Sequence, residues 1–382
     1  MRRFLFVLTA LSAVLLSCNQ SDSPAEKRAA AIRRNKGSVV IAAAGSWSVS
    51  SNNLWQGISL ATEEVNMHGG VLGRNLSVMK VDDQNTVTAG QQAAYKICEN
   101  NLVSAVIGHV SSSISIQNAI IYQYYGVVML SPYSVASKLT GQNFPFVFRN
   151  IQMDQDLGTA AADFCRQKGW NKVLIYNADT EYGQSLANWF EKRCPIDRIK
   201  IIDRKSFSTE SSDIEMSETA ESWRKNFRCD AIFLTGAMPF VAKAVLALHT
   251  SMPDTPIIGG ETLVAQSLLG IAGMKAENVY ATAIADMNST SGAVLKFKTA
   301  FIAKFGFEPD TYALQGYDAV KLLVYAMQTA GSAEPVKIAN ALHTVTDWDG
   351  PAGPYDITST GDVKGRPVVI QYVKNGQFVN AE

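Results

Sequence analysis

The strongest constraint on the fold is a regular alternation that begins at Ser38. Short apolar runs, rich in β-branched residues, alternate with helix-length segments. The runs are SVVIAAAG, LSVMKVDD, SAVIGHV, VVMLSP, VLIYN, RIKIID, AIFLTG and PIIGGE. Because many of them are apolar on both sides, they are typical of buried strands in a parallel sheet. We therefore predict an α/β protein built from doubly wound parallel sheets.

The segments between these runs have the one-sided apolar periodicity of helices that cover a sheet. The clearest predicted helices are Leu54 to Val65, Ala89 to Cys98, Asp179 to Phe190 and Thr311 to Thr329. The chain then finishes with a predicted strand pair, Pro367 to Tyr372 and Gln377 to Asn380, around the turn signal Asn375-Gly376.

The first residues predict export. Arg2 and Arg3 precede the apolar run Phe4 to Leu16, which is typical of a secretory signal and too short to span a bilayer. The sequence Leu15-Leu16-Ser17-Cys18 resembles the lipobox of bacterial lipoproteins, in which the cysteine thiol carries the lipid. We expect Cys18 to be lipid-attached; a plain cleaved signal with an incidental cysteine is the alternative.

Residues 19–37 are polar and charged, and they predict a flexible tether between the anchor and the folded region. The 34 basic and 34 acidic residues balance, which argues against a nucleic-acid partner. No His or Cys spacing suggests a metal site, and we expect no cofactor. In an exported protein the remaining cysteines could be buried thiols or form one or two disulfides, and their spacing does not decide between these. They are Cys98, Cys165, Cys194 and Cys229.

Ligands of open α/β sheets bind beyond the carboxyl ends of the strands. Four loops should therefore face a common cleft: His109 to Ser113, Ser131 to Val135, Asn177 to Tyr182 and Thr235 to Met238. A change of character near Phe146 to Asn150 predicts a boundary between two lobes.

These loops carry a family resemblance. The stretches VIGHVSSS (106–113), MLSPYSVASKLT (129–140), FRNIQMDQDLG (148–158), TEYGQSLA (180–187) and GYDAVKLL (316–323) occur in that order. Together they resemble the type I periplasmic solute-binding proteins of branched-chain amino acid ABC transporters. The likeness extends from about Ser38 to Val379.

The resemblance implies two lobes joined by three crossing segments, which close on a ligand like a hinge. It implies a first lobe formed by residues 38–149 and 285–349, and a second formed by 150–284 and 350–382. It also implies a monomer in the cell envelope, held at the membrane by its lipid, that delivers a small carboxylate-bearing solute to ABC transporter permease subunits.

An α-amino acid has a carboxylate, which binds N–H and hydroxyl donors, and an ammonium, which binds hydrogen-bond acceptors and pairs with an anion. In the first lobe, Ser112 matches the family serine that holds the carboxylate, although an ordinary N-cap serine fits the same position. Tyr133 matches the position whose backbone N–H and C=O bind the ligand carboxylate and ammonium, respectively. The family then usually places a threonine where this chain has Val135. In the family the hydroxyl of this threonine helps to hold the ligand ammonium. Here either Ser134 takes over that role, or the ammonium is held by fewer groups, or the ligand has no amino group.

In the second lobe, Glu261 matches the carboxylate that pairs with the ligand ammonium; a solvated loop charge is its alternative. Tyr182 matches an aromatic that closes over the ligand, and it could instead pack on its own lobe. Asp154 matches a family acid near the hinge and ligand, and it could equally be the first-turn charge of a helix. The second cleft tyrosine of the family falls near Ala237, so that aromatic wall is missing.

Trp47 lies in a loop that is shorter here than in the family, so it cannot be aligned there. At the carboxyl end of a strand, it could select the ligand side chain or be a buried structural tryptophan.

No dinucleotide, P-loop, nucleophile-elbow or zinc-protease motif occurs, so we expect no enzyme. The alternative function is that of a sensor with the same two-lobed fold, which signals to a partner instead of delivering its ligand. Ligand binding precedes both transport and signalling, so the binding residues do not separate them. Which solute is bound is left open, with a branched-chain or related amino acid expected first and another carboxylate second.

Overall fold

A computed structural model describes residues 22–49 and 52–381 of the chain. The predicted leader and Cys18 lie outside the described residues. Within the described part, no helix combines the length and apolar character that a bilayer crossing requires.

Helices and strands alternate through most of the described chain. Their bounds are α1 Pro24–Arg34, β1 Val39–Gly45, α2 Leu54–Met67, β2 Leu76–Asp82, α3 Val87–Glu99, β3 Val103–Ile107, α4 Ser112–Tyr125, β4 Val128–Ser131, β5 Val147–Arg149, α5 Asp154–Gln167, β6 Lys172–Ala178, α6 Glu181–Arg193, β7 Lys200–Phe207, α7 Asp213–Asn226, β8 Ala231–Thr235, α8 Phe240–Ser251, β9 Ile257–Gly259, α9 Gln266–Ala272, β10 Val279–Ala283, α10 Gly292–Phe305, α11 Thr311–Ala330, α12 Pro335–Leu342, β11 Trp348–Gly350, β12 Gly353–Ile357, β13 Val363–Lys364, β14 Val369–Lys374 and β15 Gln377–Asn380. Every predicted strand run contains a strand, which confirms the α/β prediction.

The strands form two large sheets. The first has the order β2-β1-β3-β4-β5 and is parallel throughout. The second has the order β15-β14-β10-β9-β8-β6-β7, and only the two pairings of β14, with β10 and with β15, are antiparallel. The central strands β3, β4 and β8 are buried along their whole length, whereas most residues of the edge strands β2 and β7 are exposed or half-buried. Their apolar and mixed sequences follow from these positions.

Helices cover both faces of each sheet. Apolar residues of α2, α10, α11 and α12 pack on one face of the first sheet, and those of α3 and α4 on the other. In the second lobe, α7, α8 and α9 cover one face and α5 and α6 the other. Helices α2 and α11 touch through glycines, since a Cβ on Gly57 would lie 1.9 Å from the Ala313 carbonyl oxygen. That approach fastens the late helix α11 to the first lobe.

The chain passes between the lobes at three places. The first lies between β5 and α5, and the second separates Ile284, in the core of the second lobe, from Ala285, in the core of the first. The third is later than we predicted. Residues 350–364 were assigned to the second lobe, yet Tyr355 and Val363 are buried in the core of the first. Val368 then packs against the core of the second lobe, so the third crossing follows β13. The crossing is late because the small sheet β11-β12-β13 buries its apolar side against α11 and its neighbours.

The prediction of a flexible tether was wrong for residues 24–34, which form α1. Ser23 and Glu26 make a reciprocal capping box at its start. The Arg28 side chain is fully buried, and its guanidinium donates hydrogen bonds to the carbonyl oxygens of Cys98, Asn100, Val103 and Tyr125 at 2.6, 2.7, 2.9 and 3.0 Å. Helix α1 is therefore docked by Arg28, which satisfies carbonyls near the ends of α3 and α4 and at the start of β3, and by Ile32, which is buried in the core of the first lobe.

The cysteines of the described residues are unpaired. Cys98, Cys165 and Cys194 are buried, and Cys229 is partly exposed. Burial raises the pKa of Cys98 and of Cys194 to about 12. These thiols are therefore protonated at neutral pH and pack as small apolar side chains.

Candidate ligand-binding site

Loops at the carboxyl ends of both sheets meet in one region. Tyr133 follows β4 of the first sheet, whereas Tyr182 and Glu261 follow β6 and β9 of the second. Tyr133, Tyr182 and Tyr312 pack into one apolar cluster. The cleft that we expected between the lobes is therefore lined by aromatic side chains.

The wall of the first lobe is a pair of stacked tyrosines. The rings of Tyr133 and Tyr312 lie parallel within 6°, with centroids 3.7 Å apart. The hydroxyls of Tyr133 and Thr311 lie within hydrogen-bonding distance, 3.1 Å apart. Burial raises the pKa of Tyr133 well above its usual value, so its phenol is neutral.

The second residue of α11, Tyr312, is positioned by the helix cap. The Asp310 carboxylate accepts hydrogen bonds from the backbone N–H of Ala313 at 2.8 Å and of Asn53 at 3.0 Å. It therefore caps α11 and ties the helix start to the residue that precedes α2.

The wall of the second lobe is an acid held by a tyrosine. The Tyr182 hydroxyl donates to the Glu261 carboxylate at 3.0 Å and lies 3.3 Å from the Thr262 hydroxyl. Glu261 is 2% exposed and forms no ion pair with any Lys or Arg of the described residues. Burial raises the pKa of Glu261 to about 7, although hydrogen bonds from its own backbone and from Tyr182 oppose the rise.

The two walls face each other. The Glu261 charge contributes to the raised pKa values of both Tyr133 and Tyr312, after burial itself. The Tyr182 ring, whose hydroxyl donates to Glu261, packs into the same apolar cluster as Tyr133 and Tyr312. The cleft thus places an acid opposite an aromatic wall.

Ser112 is the first residue of α4, where we expected a carboxylate-binding helix end. It is buried, and its hydroxyl accepts from the Ala136 N–H at 3.4 Å. The N-cap residue Ser111 makes no side-chain cap hydrogen bond. Within the part of the chain that the structure describes, the first N–H groups of α4 therefore have no side-chain cap, and the positive end of the helix dipole there favours an anion.

The hydroxyl of Ser134 is turned away from the cleft. It donates to the carbonyl oxygens of His109 and Val110, both at 3.1 Å, and it lies 2.6 Å from the hydroxyl of Ser115. Ser134 thus packs into the first lobe and is not positioned to replace the family threonine. Val135 is fully buried in the apolar cluster below the cleft.

The carboxylate of Asp154, the first residue of α5, is fully buried. It accepts hydrogen bonds from the backbone N–H of Ser137 at 3.1 Å, from the Ser137 hydroxyl and from the Ser185 hydroxyl at 2.5 Å. Protein groups thus occupy most of its acceptor positions.

Two further candidates lie towards the outside. Ala237 is exposed before α8, next to Gly236, whose carbonyl accepts from Thr262. The Trp47 indole donates to the Val81 carbonyl oxygen at 2.7 Å and packs edge-on against Trp55. Its contacts within the described residues belong to the outer edge of the first sheet and favour the structural role.

Tyr312 was not among the predicted site residues. Nothing local distinguishes an aromatic in the first turn of a helix, and Tyr312 lies far along the chain from Tyr133. The available signal was Asp310, an N-cap residue that starts a helix of the first lobe on the cleft side.

The comparisons with known proteins agree with this architecture. A family model described as periplasmic binding protein matches residues 39–377. The "Leucine-, isoleucine-, valine-, threonine-, and alanine-binding protein" of Pseudomonas aeruginosa is 26% identical over 311 residues, which is 81% of each chain.

Two solved structures extend the likeness to three dimensions. An ABC transporter substrate-binding protein from Desulfitobacterium hafniense, solved in complex with Leu, is 31% identical with a TM-score of 0.81; the match covers 90% of this chain and all of that one. A leucine-binding protein from Thermotoga maritima is 27% identical with a TM-score of 0.83, and the match covers 90% and 98% of the two chains.

These relatives bind substrates for transport and are not enzymes, which confirms the prediction of a non-enzyme. The family also implies an extracytoplasmic location. With two doubly wound lobes, a cleft at their strand ends and a family match along nearly the whole folded region, the chain belongs to the periplasmic binding protein family, in its branched-chain amino acid ABC transporter type.

Proposed function

We propose that this protein captures an α-amino acid with an aliphatic side chain between its lobes and delivers it to an ABC transporter. Leucine is the first candidate, since a relative that is 31% identical was solved in complex with Leu. The observation that carries the proposal is Glu261, a buried acid without a cationic partner among the described residues.

Glu261 fits the ammonium end of such a ligand. Leaving a carboxylate buried beside one tyrosine hydroxyl is costly, and a cation in the cleft would remove most of that cost. An ammonium would also gain a charge-assisted hydrogen bond. The role that we expected for the threonine replaced by Val135 therefore falls to Glu261 and to the Tyr133 carbonyl.

The first lobe fits the carboxylate end. The free N–H groups at the start of α4 and the Ser112 hydroxyl are the donors there. The neighbouring Ser134 has its backbone N–H bonded to Ser131 and its carbonyl bonded to Arg149. The backbone N–H and C=O of Tyr133, by contrast, have no hydrogen-bond partner within the described residues.

The walls between these two ends fit an apolar side chain. Tyr133, Tyr312 and Tyr182 offer ring faces, and Val110 packs into the same cluster. An aliphatic group would be covered by these surfaces on closure, with a gain of about 25 cal/mol for each Å² of apolar area removed from water.

Calorimetry on purified protein tests this function. We expect binding of leucine, isoleucine and valine, and at least tenfold weaker binding of 4-methylpentanoate, the leucine analogue without an amino group. Glu261→Gln should weaken leucine binding about 10- to 100-fold, because it removes the charge and keeps the Tyr182 contact. The matched control is Glu218→Gln, an exposed acid of the same lobe. Equal affinity of wild type and Glu261→Gln for leucine would refute the ammonium site.

Anchoring and delivery form the remaining part of the proposal. We propose that Cys18 carries the lipid and that the anchored protein delivers its ligand to permease subunits. Cys18→Ala should release the protein from the membrane fraction of the producing cells, and deleting the gene should lower uptake of radiolabelled leucine. Retention of Cys18→Ala at the membrane would contradict lipidation at this residue.

A further inference from the structure

Four side chains connect the lobes beside the cleft. Ser137 belongs to the loop between β4 and β5 of the first lobe, and Asp154 begins α5 of the second. Ser185 and Trp189 lie on α6. We call these four residues the clasp.

The clasp is a continuous hydrogen-bond network. The Trp189 indole N–H donates to the Ser137 hydroxyl oxygen at 3.1 Å, and that hydroxyl donates to Asp154. The Ser185 hydroxyl donates to the same carboxylate from the other side, at 2.5 Å. Because Ser185 and Trp189 are four residues apart, they lie on one face of α6. Two helices of the second lobe therefore hold one serine of the first.

The loop that carries Ser137 is itself held in place. The guanidinium of Arg149 is fully buried and donates to the carbonyl oxygens of Ser134 at 2.8 Å and Ala136 at 3.0 Å. The backbone N–H of Asp154 donates to the Val135 carbonyl at 2.9 Å. Because Arg149 lies on β5, its hydrogen bonds transmit the hold on Ser137 to the first lobe, and the Asp154 N–H adds a backbone contact from the second lobe.

The two buried acids of the cleft region differ in how they are satisfied. Asp154 accepts from two hydroxyls and one backbone N–H, and it lies in the first turn of α5, where the helix dipole favours a negative charge. Glu261 accepts from one side chain, Tyr182. Asp154 is therefore saturated by protein donors, while Glu261 keeps acceptor positions for a ligand.

From these contacts we infer that Asp154 is a positioning residue, which acts through Ser137, Ser185 and Trp189 to hold the lobes closed and does not contact the ligand. This differs from the role that the family resemblance implied for it. The inference rests on the proposed function, because it concerns the closure that retains the ligand.

A clasp outside the ligand contacts has a distinctive signature. It stabilises the closed form by the same amount whatever the ligand is, so its loss weakens all ligands by one common factor. A residue that touches the ligand discriminates among ligands instead. The loss should also appear in the dissociation rate, since opening precedes release.

The first arm of the test uses ligand kinetics. Ser137→Ala and Trp189→Phe each remove one hydrogen-bonding group of the clasp. We expect each to speed dissociation of leucine, isoleucine and valine by the same factor, about 3- to 10-fold, in stopped-flow measurements. The control is Lys138→Ala on the same loop. Its exposed pair with Glu181, at 3.5 Å, should contribute little.

The second arm needs no ligand. The clasp should also set the closed fraction of the ligand-free protein, so both variants should show a larger radius of gyration than wild type in small-angle X-ray scattering. If the wild-type protein binds no amino acid, the proposed function is refuted. The scattering measurement on the ligand-free protein then still tests the clasp. Unchanged scattering in both variants would overturn the inference, as would dissociation factors that differ strongly between the three ligands.

Discussion

Glu261 and Asp154 show how position decides what an acidic side chain does. Both are buried at the edge of the second lobe, and both matched family acids in the sequence analysis. Protein donors surround Asp154, whereas Glu261 meets one tyrosine hydroxyl and has a pKa raised to about 7. A carboxyl group that titrates near neutral pH makes ligand binding depend on pH, and the sign depends on the ligand.

Leucine should bind more tightly as the pH rises from about 5.5 to 8. In the free protein Glu261 is mostly protonated below its pKa of about 7, and an ammonium selects the ionised form. Binding near pH 6.5 should therefore release protons, which calorimetry in buffers of different ionisation enthalpy measures. Glu261→Gln should abolish the release. Leucine affinity that stays constant or falls as the pH rises would contradict an ionised Glu261 paired with the ligand ammonium.

The same group affects the stability of the ligand-free protein. Because the pKa of Glu261 is raised on folding from 4.5 to about 7, the folded state binds more protons than the unfolded state between these values. The contribution of Glu261 to stability therefore falls as the pH rises through this window. Glu261→Gln should match wild type near pH 4.5 and be more stable at pH 8, by at most about 3 kcal/mol. Urea unfolding at the two pH values measures the difference, and a gain at pH 4.5 as large as that at pH 8 would contradict it.

Among the elements, α1 departs most from the sequence-based expectation. Its composition is that of a linker, and it is docked through the buried side chain of Arg28. A second contact, the ion pair of Arg33 with Glu334 at 2.6 Å, connects it to the residue that precedes α12.

Arg28→Met should release α1 from the first lobe. Its loss leaves four carbonyl oxygens without their donor and should raise the local opening of α1 at least about tenfold. Trypsin digestion followed by mass spectrometry should show faster cleavage after Arg33 and Arg34. Lys27→Met, which changes an exposed neighbour, is the control and should cleave at the wild-type rate. Equal cleavage of both variants would mean that Arg28 does not hold the helix.

At the scale of the whole molecule, a buried network joins the crossing segments to the first lobe. The Asp318 carboxylate on α11 accepts from the Tyr355 hydroxyl at 2.7 Å and from the Asn150 amide at 3.0 Å. Arg366, near the third crossing, donates to the Asn150 carbonyl at 2.9 Å and lies 3.8 Å from Asp318. The first and third crossings are thus fastened to one acid on α11.

Asp318→Ala should destabilise the protein by about 2 to 4 kcal/mol, because it leaves buried donors unpaired and Arg366 without its nearest acid. Chemical denaturation monitored by circular dichroism measures the change. Asp349→Ala, at an exposed aspartate of β11, should stay within about 0.5 kcal/mol of wild type. A similar small effect for Asp318→Ala would show that the network does not stabilise the fold.

Much of the architecture could be read from local pattern. The apolar runs predicted the strands of both sheets up to β9 with the exception of β5, and the turn at Asn375-Gly376 predicted the β14–β15 hairpin, because strand periodicity and turn preferences depend on neighbouring residues. The same pattern missed β10 and placed residues 350–364 in the wrong lobe. Short strands carry too little periodicity to show which core will bury them.

At the cleft, the strand-end loops could be predicted because parallel strands always present their carboxyl ends at one edge. The partners of each side chain could not. Tyr312 stacks on Tyr133 from a distant helix, Ser134 turns into its own lobe, and Asp154 is satisfied by Ser137 and Ser185. Such contacts depend on how elements far apart in the chain pack together. Sequence pattern could therefore indicate which residues reach the cleft, but only tertiary packing decided that Glu261 keeps free acceptor positions.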